Sequence, residues 1–354
     1  MMLQQNKTMG WDIGGAHLKA AIIDNTGKVV AVYQQPCQLW KGLVQLQTAV
    51  KTILQQAALD QCVHAVTMTG ELVDLFADRH EGVQQISATI QALLPKDTCF
   101  IYAGDSGLIP AAQLQSQDYD AVASANWLAS ASFAAQKLGN GLFVDIGSTT
   151  TDILLLEAGK VNADGYTDYQ RLVSQELVYT GIVRTAVMAV AQTAHDQGHN
   201  IGIMAEYFAT MADVYRVTGE LNEHHDQTET ADGAEKTIVA SARRLSRMIG
   251  SDFTLSELPR WQEFAINIRT QQLQKIKHAC EQRLNPQAIN KIQSLPWVGA
   301  GIGRFLVKDI AQKLNMTYFD FSDLCPQANT VLNLTPADCA PAVAVAYLLK
   351  QQSL

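Results

Sequence analysis

The sequence predicts an α/β protein built from two related halves, and three observations predict it. The stretch "WDIGGAHLKAAIIDNTGKVVA", Trp11 to Ala31, returns in altered form as "VDIGSTTTDILLLEAGKVNA", Val144 to Ala163. Short apolar runs of strand character alternate with segments of helical spacing. Each half also closes on an Ala-rich stretch, "DAVASANWLASASFAAQKLGNG" in the first and "CAPAVAVAYLLKQQ" in the second. With one single-residue gap the two copies align as strand, Asp-Ile-Gly turn, strand, Gly-Lys turn and strand. That is an antiparallel meander, repeated at a spacing too long for a solenoid.

A chain of 354 residues, 47% of them hydrophobic, buries a large core, and a core of that size divides into two domains. The boundary is expected near residue 140, giving domains 1–140 and 141–354. The second departs from strict repetition over about 165–290, a largely helical insertion. A formal net charge of −8 argues against nucleic acid as a partner, while leaving room for a local anion site. The opening "MMLQQNKTMG" has no long apolar run or cleavage site, and no stretch reaches the roughly 18 apolar residues of a membrane span. A soluble cytoplasmic protein without a membrane partner is expected, with self-association left open. The cysteines are scattered without a Cys-x-x-Cys pair, so they read as reduced, mostly buried thiols.

In chain order, "LVQLQTAVKTILQQA" has helical apolar spacing, "HAVTMTG" reads as a strand, "ELVDLFADRH" as a helix and "TCFIYAGDSGLI" as a further strand. The Ala-rich stretch follows, ended by Gly139 and Gly141. After the second meander, "ELVYTGIVRTAVMAVAQTA", "AEYFATMADVYRVTG" and "TIVASARRLSRMIG" read as helices or connectors. "NEHHDQTETADG" is too poor in apolar residues for core and reads as a loop with room to move. "SLPWVGAGIGRFLVKDIAQKLNMTYFDF" restores strand, Gly-rich turn, helix and strand.

The chemistry is expected at the turns. In "DIGG" and "DIGS", Gly14, Gly15 and Gly147 let the backbone turn tightly so that successive amides converge on phosphate oxygens. Asp12 and Asp145 end apolar strands, and a pseudo-twofold relation would set them facing across a cleft, as paired carboxylates for magnesium. Lys19 supplies a point charge, and Ser148, Thr149 and Thr150 supply hydroxyls. The turns also read as ordinary hairpins in which Asp serves local hydrogen bonds; duplication favours the anion reading. Gly299, Gly301 and Gly303 in "WVGAGIGRFL" suit a nucleotide or diphosphate at a helix N-terminus. A dinucleotide fingerprint ending at Asp320 is the weaker meaning, since little chain remains beyond it. His195 and His199 have the spacing of a helical metal pair, and His224 and His225 stand beside Asp226, but a solvated surface accounts for both. Arg243, Arg244 and Arg247 read either as a grip on an anionic substrate or as a solvated helix face.

The two Asp-Ile-Gly turns, the late Gly-Ala-Gly-Ile-Gly turn and the paired Ala-rich helices together resemble the actin, sugar-kinase and Hsp70 ATPase superfamily. That resemblance implies two RNase H-like domains around a central cleft. More narrowly, "DIGSTTTDI", "ELVYTGIVRTAV", "AEYFATMADVYRVTGEL", "TADG" and "RLSRMIGSD" are similar to the hydantoinase/oxoprolinase-related family linked to tetrahydromethanopterin one-carbon metabolism. This likeness implies a transferase of methanofuran-like (methylofuran) biosynthesis. The phenol of a tyramine- or tyrosine-type acceptor would displace diphosphate from an aminomethylfuran-methyl diphosphate, with magnesium as cofactor. It carries over Asp12, Gly14, Gly15, Lys19, Asp145, Gly147, Ser148, Thr149, Thr150 and Asp152 as the phosphate and metal region, with Asp12 or Asp152 as acceptor of the phenolic proton. Glu176, Tyr179, Arg184, Glu206, Asp232 and Arg247 are implied on the substrate side. The first turn reads "GGAHLK" where the superfamily usually has a Gly-Thr-x-x-Thr-Asp run, a departure that bears on ATP as a ligand. An ATP-dependent kinase or ring-opening amidohydrolase is the second function the fold supports, and a nucleotide-gated binding protein the third.

Overall fold

The computed structural model describes residues 7–59, 62–94, 98–284, 295–327 and 334–352. Most of the opening stretch read for a leader, and the last residues of the 165–290 insertion, lie outside the described residues. The chain divides into two compact units, Met1–Gly141 with Leu156–Asn162 and Phe319–Leu354, and Leu142–Leu155 with Ala163–Tyr318.

The first unit opens with the expected meander, β1 (Lys7–Ile13), β2 (His17–Ile23) and β3 (Val29–Pro36). Helix α1 (Leu43–Ala57) crosses to β4 (Cys62–Met68), which pairs parallel with β1, and α2 (Arg79–Leu93) leads to β5 (Cys99–Tyr102) and the antiparallel edge β6 (Leu108–Pro110). The sheet order is β3-β2-β1-β4-β5-β6. "ELVDLFADRH" does not form the helix expected of it. A 3-10 turn covers Gly70–Leu72, and the helix begins only at Arg79, because the Asp78 carboxylate accepts the Glu81 amide at 2.8 Å and caps it there. The Ala-rich stretch likewise breaks into α3 (Tyr119–Val122) and α4 (Asn126–Leu138), with Ser124 between them at φ 51°.

The second sheet carries the repeat. β7 (Gly141–Ile146), β8 (Thr151–Glu157) and β9 (Lys160–Asn162) form the meander, α5 (Asp168–Val173) follows, and β10 (Leu177–Val178) pairs with β8. Beyond come α6 (Val187–Val190), the hairpin β11 (Thr193–Asp196) and β12 (His199–Gly202), then α7 (Met211–Val217), α8 (Ile238–Arg247) and α9 (Leu258–Arg283). β13 (Trp297–Ala300) returns parallel to β7, and α10 (Arg304–Lys313) leads to β14 (Tyr318–Asp320). The order β10-β8-β7-β13-β14, with β9 also on β8, repeats the path of the first sheet. A meander followed by parallel strands, twice over, is the two-domain RNase H-like α/β class expected.

The linear domain boundary is corrected by the last helix, α11 (Ala340–Gln352). Residues 319–354 cluster with the first unit rather than the second. The cause is composition: α11 is apolar nearly all round and buried along most of its length, so it needs cover on every side. It finds it against β1, where a Cβ on Gly10 would stand 1.8 Å from the Ala342 carbonyl oxygen. Tyr347 donates to Gly27 O at 2.6 Å, and Lys350 to Asp24 O and Asn25 O at 2.7 Å, fastening the helix to the meander turn.

The long helix α9 has buried Trp261, Phe264, Ile268, Leu273, Ile276 and Cys280 at helical spacing, forming the core of the insertion. His195 and His199 are not on a helix. They lie on the two strands of the β11–β12 hairpin, where His195 faces Asn200 and Asp196 faces His199. Gln197 and Gly198 make the turn at positive φ. All the cysteines are free thiols, Cys62 half-buried and the others buried.

His64 gives a pH prediction. It is buried, accepts the Trp11 indole N–H on Nδ1 at 3.0 Å, and burial pushes its pKa down to about 4. Between about pH 6.5 and 4 the unfolded chain takes up a proton at this site that the folded chain refuses, so stability falls as pH falls. The loss is about 1.4 kcal/mol per pH unit across that window. Urea unfolding from pH 7 to 4.5 should show a slope that His64→Gln flattens by about that amount; equal slopes would refute it.

Candidate functional site

The second unit gathers three glycine segments at the end of β7. Gly147 N donates to Thr150 O at 2.9 Å and closes the turn. Its carbonyls are then taken by the segment 181–185: Ile182 N donates to Gly147 O at 3.0 Å, Val183 N and Arg184 N to Ser148 O at 3.1 and 2.8 Å, and the Thr185 hydroxyl to Thr149 O at 3.4 Å. The Ser148 and Thr149 amides, by contrast, make no hydrogen bond among the described residues. A turn with its carbonyls tied and consecutive amides open has the polarity of an anion cradle. The Ser148, Thr149 and Thr150 side chains are half-buried around it.

Two glycines fit this packing because nothing larger would. A Cβ on Gly181 would lie 2.4 Å from Thr149 N, and one on Gly301, at φ +74°, would lie 2.3 Å from both Asp145 Oδ1 and Ile146 O. The Gly303 amide donates to Ile146 O at 2.8 Å. The late Gly-rich turn therefore reaches the Asp145 carboxylate. Gly299 serves otherwise: its missing Cβ makes room for the Tyr318 ring, with the hydroxyl 2.7 Å away. Asp320, on which the dinucleotide meaning ended, caps the following 3-10 turn by accepting Ser322 N at 2.9 Å.

The first unit repeats the turn with different side chains. Gly14 N donates to His17 O at 3.0 Å, and Gly15 O and Ala16 O accept from Leu39 N and Cys37 N at 2.9 Å. Buried Ala16 and His17 stand where the second copy has hydroxyls. Asp12 and Lys19 are opposed residues of β1 and β2, which sets both side chains on one face of the sheet. Lys19 donates to Asp338 O at 2.8 Å, and buried Asp12 accepts from the Asn126 amide at 3.4 Å. Buried Glu71 accepts the hydroxyl of Ser124, two residues before Asn126, at 2.7 Å. Asn126, Ser124, Glu71 and Gly181 have no signal of their own in the sequence beyond a Gly or an Asn at an element end.

Several expected substrate residues are spent within the fold. Glu176 is fully buried and accepts from Asp164 N, Gly165 N, the Ser174 hydroxyl and Arg283, so it is a staple rather than a ligand contact. Arg171 donates to Asp152 at 2.7 Å. Burial pushes the Asp152 carboxyl above its ordinary range, with the Arg171 guanidinium pulling it back. Arg244 is completely buried on Asp213 and Asp232, and Arg247 pairs with Asp232 at 3.0 Å. The acidic segment 222–233 is pinned as well, since buried Asp226 binds Arg216 at 2.6 Å. Tyr179, Arg184 and Glu206 remain exposed. An isolated bridge between Ala186 and Thr210, with Met211 N donating to Thr185 O at 2.8 Å, runs the segment after Glu206 beside the one holding Arg184.

Buried Gln272 of α9 ties this loop to the insertion. Its amide donates to Thr180 Oγ1 at 2.7 Å and Gly181 O at 2.9 Å, and its carbonyl accepts the Tyr215 hydroxyl.

Among the described residues no three His, Cys, Asp or Glu side chains gather as a metal site, and no helix is long and apolar enough to cross a membrane. Magnesium does not need a full protein cage, because it keeps waters and binds one or two carboxylates with substrate phosphates. Asp145 beside the open turn fits that donor set.

Fold and site together define an RNase H-like α/β protein with an Asp-Ile-Gly turn in each unit. A hydantoinase/oxoprolinase family model matches residues 63–341, and the chain belongs to that family. It is 28% identical over 311 residues to the (4-{4-[2-(gamma-L-glutamylamino)ethyl]phenoxymethyl}furan-2-yl)methanamine synthase of Methanocaldococcus jannaschii, covering 87% of this chain and 89% of that one. The protein of the same name from Methanococcus vannielii is 33% identical over 123 residues, 34% of this chain and 55% of that one. Among solved structures, nucleotide-free acetone carboxylase superposes with a TM-score of 0.56 at 11% identity, over 97% of this chain and 70% of that one. That likeness concerns the fold alone.

Proposed function

We propose that this protein is a transferase of methanofuran-like cofactor assembly that joins a phenol to a furanylmethyl carbon with release of diphosphate. The observation that carries this reading is the alignment, over most of both chains, with a synthase whose product name contains a phenoxymethyl-furan ether. The electron pair of the breaking carbon–oxygen bond leaves with the diphosphate, the phenol oxygen forms the new bond to the same carbon, and the phenolic proton passes to a carboxylate. The furan ring spreads positive charge as the bond loosens, so the protein's main task is to hold the departing oxygens.

On the second unit we assign Gly147, Ser148, Thr149 and Thr150 to the diphosphate, and Asp145 to magnesium. Magnesium, when bound, neutralises charge on the departing oxygens. Gly301 and Gly303 keep the turn and Asp145 in place. On the first unit we assign Lys19 and the amides at Gly14 and Gly15 to an anion, and Asp12 to a cation or a proton. Asp152 is the other candidate base, since its raised pKa makes its carboxylate a better proton acceptor. Tyr179 and Glu206, both exposed, are assigned to the acceptor side. The Asp232–Arg247 pair is retained only as a rim contact.

Purified protein with magnesium, the furanylmethyl diphosphate and glutamyl-tyramine, tyramine or tyrosine should yield one diphosphate per ether formed. Diphosphate release without ether would overturn the assignment. ATP turnover stimulated by a hydroxyl or cyclic-amide acceptor, with no ether, would move the protein to the kinase or amidohydrolase class.

A further inference from the structure

We propose that Arg184 clamps the diphosphate at the hydroxyl-rich turn of the second unit, and that Gly181, Thr185 and Gln272 are there to hold it at that place. The proposal rests on the reading above and assigns a residue role within it.

The backbone of Arg184 is fixed to the turn itself, since its amide donates to Ser148 O at 2.8 Å beside the neighbouring bonds from Ile182 and Val183. Gly181 permits that approach, because any side chain there would strike the Ser148–Thr149 peptide. The Thr185 hydroxyl accepts from Gly181 N at 2.8 Å and donates to Thr149 O at 3.4 Å, so one side chain sets both the loop and the turn. Gln272 holds Thr180 and Gly181 from behind.

The guanidinium then comes back to the turn at the protein surface. Its Nη1 lies 3.4 Å from Thr149 Oγ1. Arginine only donates, so Thr149 is the acceptor in that contact, which leaves its own proton for the Ser148 hydroxyl 3.4 Å away or for a ligand. A guanidinium also presents a rigid fork of N–H groups that matches two phosphate oxygens, which an ammonium does not. Charge at this point acts where negative charge grows, on the oxygens that receive the electron pair of the breaking bond.

The test uses the whole protein with inorganic diphosphate and magnesium as the probe, followed by titration calorimetry. Arg184→Gln should bind diphosphate at least tenfold more weakly with an unchanged melting temperature, and Arg184→Lys should recover part of the loss. In turnover the Gln variant should lose kcat by more than it raises KM for the phenol. If wild type binds diphosphate and Arg184→Gln binds it equally, the clamp is refuted while the transferase reading stands. A loss of binding that comes with a lowered melting temperature, and that Lys does not relieve, would also refute it, as the residue would be structural. If wild type itself fails to bind diphosphate, the transferase reading falls and the clamp falls with it.

Discussion

Gly301→Ala is expected to lower stability by about 2 to 5 kcal/mol, and to abolish diphosphate binding in whatever fraction remains folded. Two costs add. At φ +74° an L-residue with a Cβ is strained by about 1 to 2 kcal/mol. Packing a methyl into a filled site costs about another 1 to 3 kcal/mol. The second cost is unavoidable here, because the Ile146 carbonyl oxygen 2.3 Å away belongs to β7 and cannot swing aside. The Asp145 carboxylate at the same distance has to move, which is how a packing change reaches the site. Gly299→Ala is the contrast: its new methyl would meet the Tyr318 side chain, which can tilt, so stability should fall less and diphosphate binding should persist. Urea unfolding and calorimetry on both variants decide the matter. Equal effects would mean that the Gly-rich turn supports the strand without supporting Asp145.

The contrast between these glycines shows where the sequence was informative. An Asp-Ile-Gly turn and its copy are local patterns, and local patterns survive folding: the same closing hydrogen bond, Gly14 N to His17 O and Gly147 N to Thr150 O, appears in both units. The meander that opens each sheet followed from the repeat. Partners distant in sequence were not legible. Glu176 and Arg283, or Asp213 and Arg244, read as ordinary charged residues until the fold buries them together. For the same reason the polar segment 222–233 looked loose: its composition is that of a loop, but Arg216 holds it through Glu223 and Asp226. His195 and His199 failed on period, since four residues apart is also the reach of a tight hairpin. The closing helix misled on domain membership because a repeat in sequence says nothing of which unit covers an element apolar on all sides.

Asp213→Ala should be among the most destabilising single substitutions in the second unit, at about 3 to 5 kcal/mol, because it strips counter-charge from guanidinium groups that water cannot reach. Arg244 is fully buried and Arg216 nearly so. Asp213 Oδ1 accepts Arg244 Nε at 2.9 Å and the Ser241 hydroxyl at 2.8 Å, and Arg216 Nη1 stands 3.7 Å away. The other oxygen accepts the Thr210 amide at 3.0 Å and caps α7. Loss of the cap alone accounts for about 1 kcal/mol, so the charge has to explain the remainder. Asp213→Asn separates the two, as it retains an acceptor for Thr210 while removing the negative charge, and it should still lose most of the stability. Added salt should not restore either variant, since screening acts weakly on buried pairs. Asp232→Ala, which removes a partly exposed partner of the same Arg244, should cost much less, because Asp213 remains. If the Asn variant were as stable as wild type, the network would be a capping device with arginines attached, and its charges would have to be balanced elsewhere.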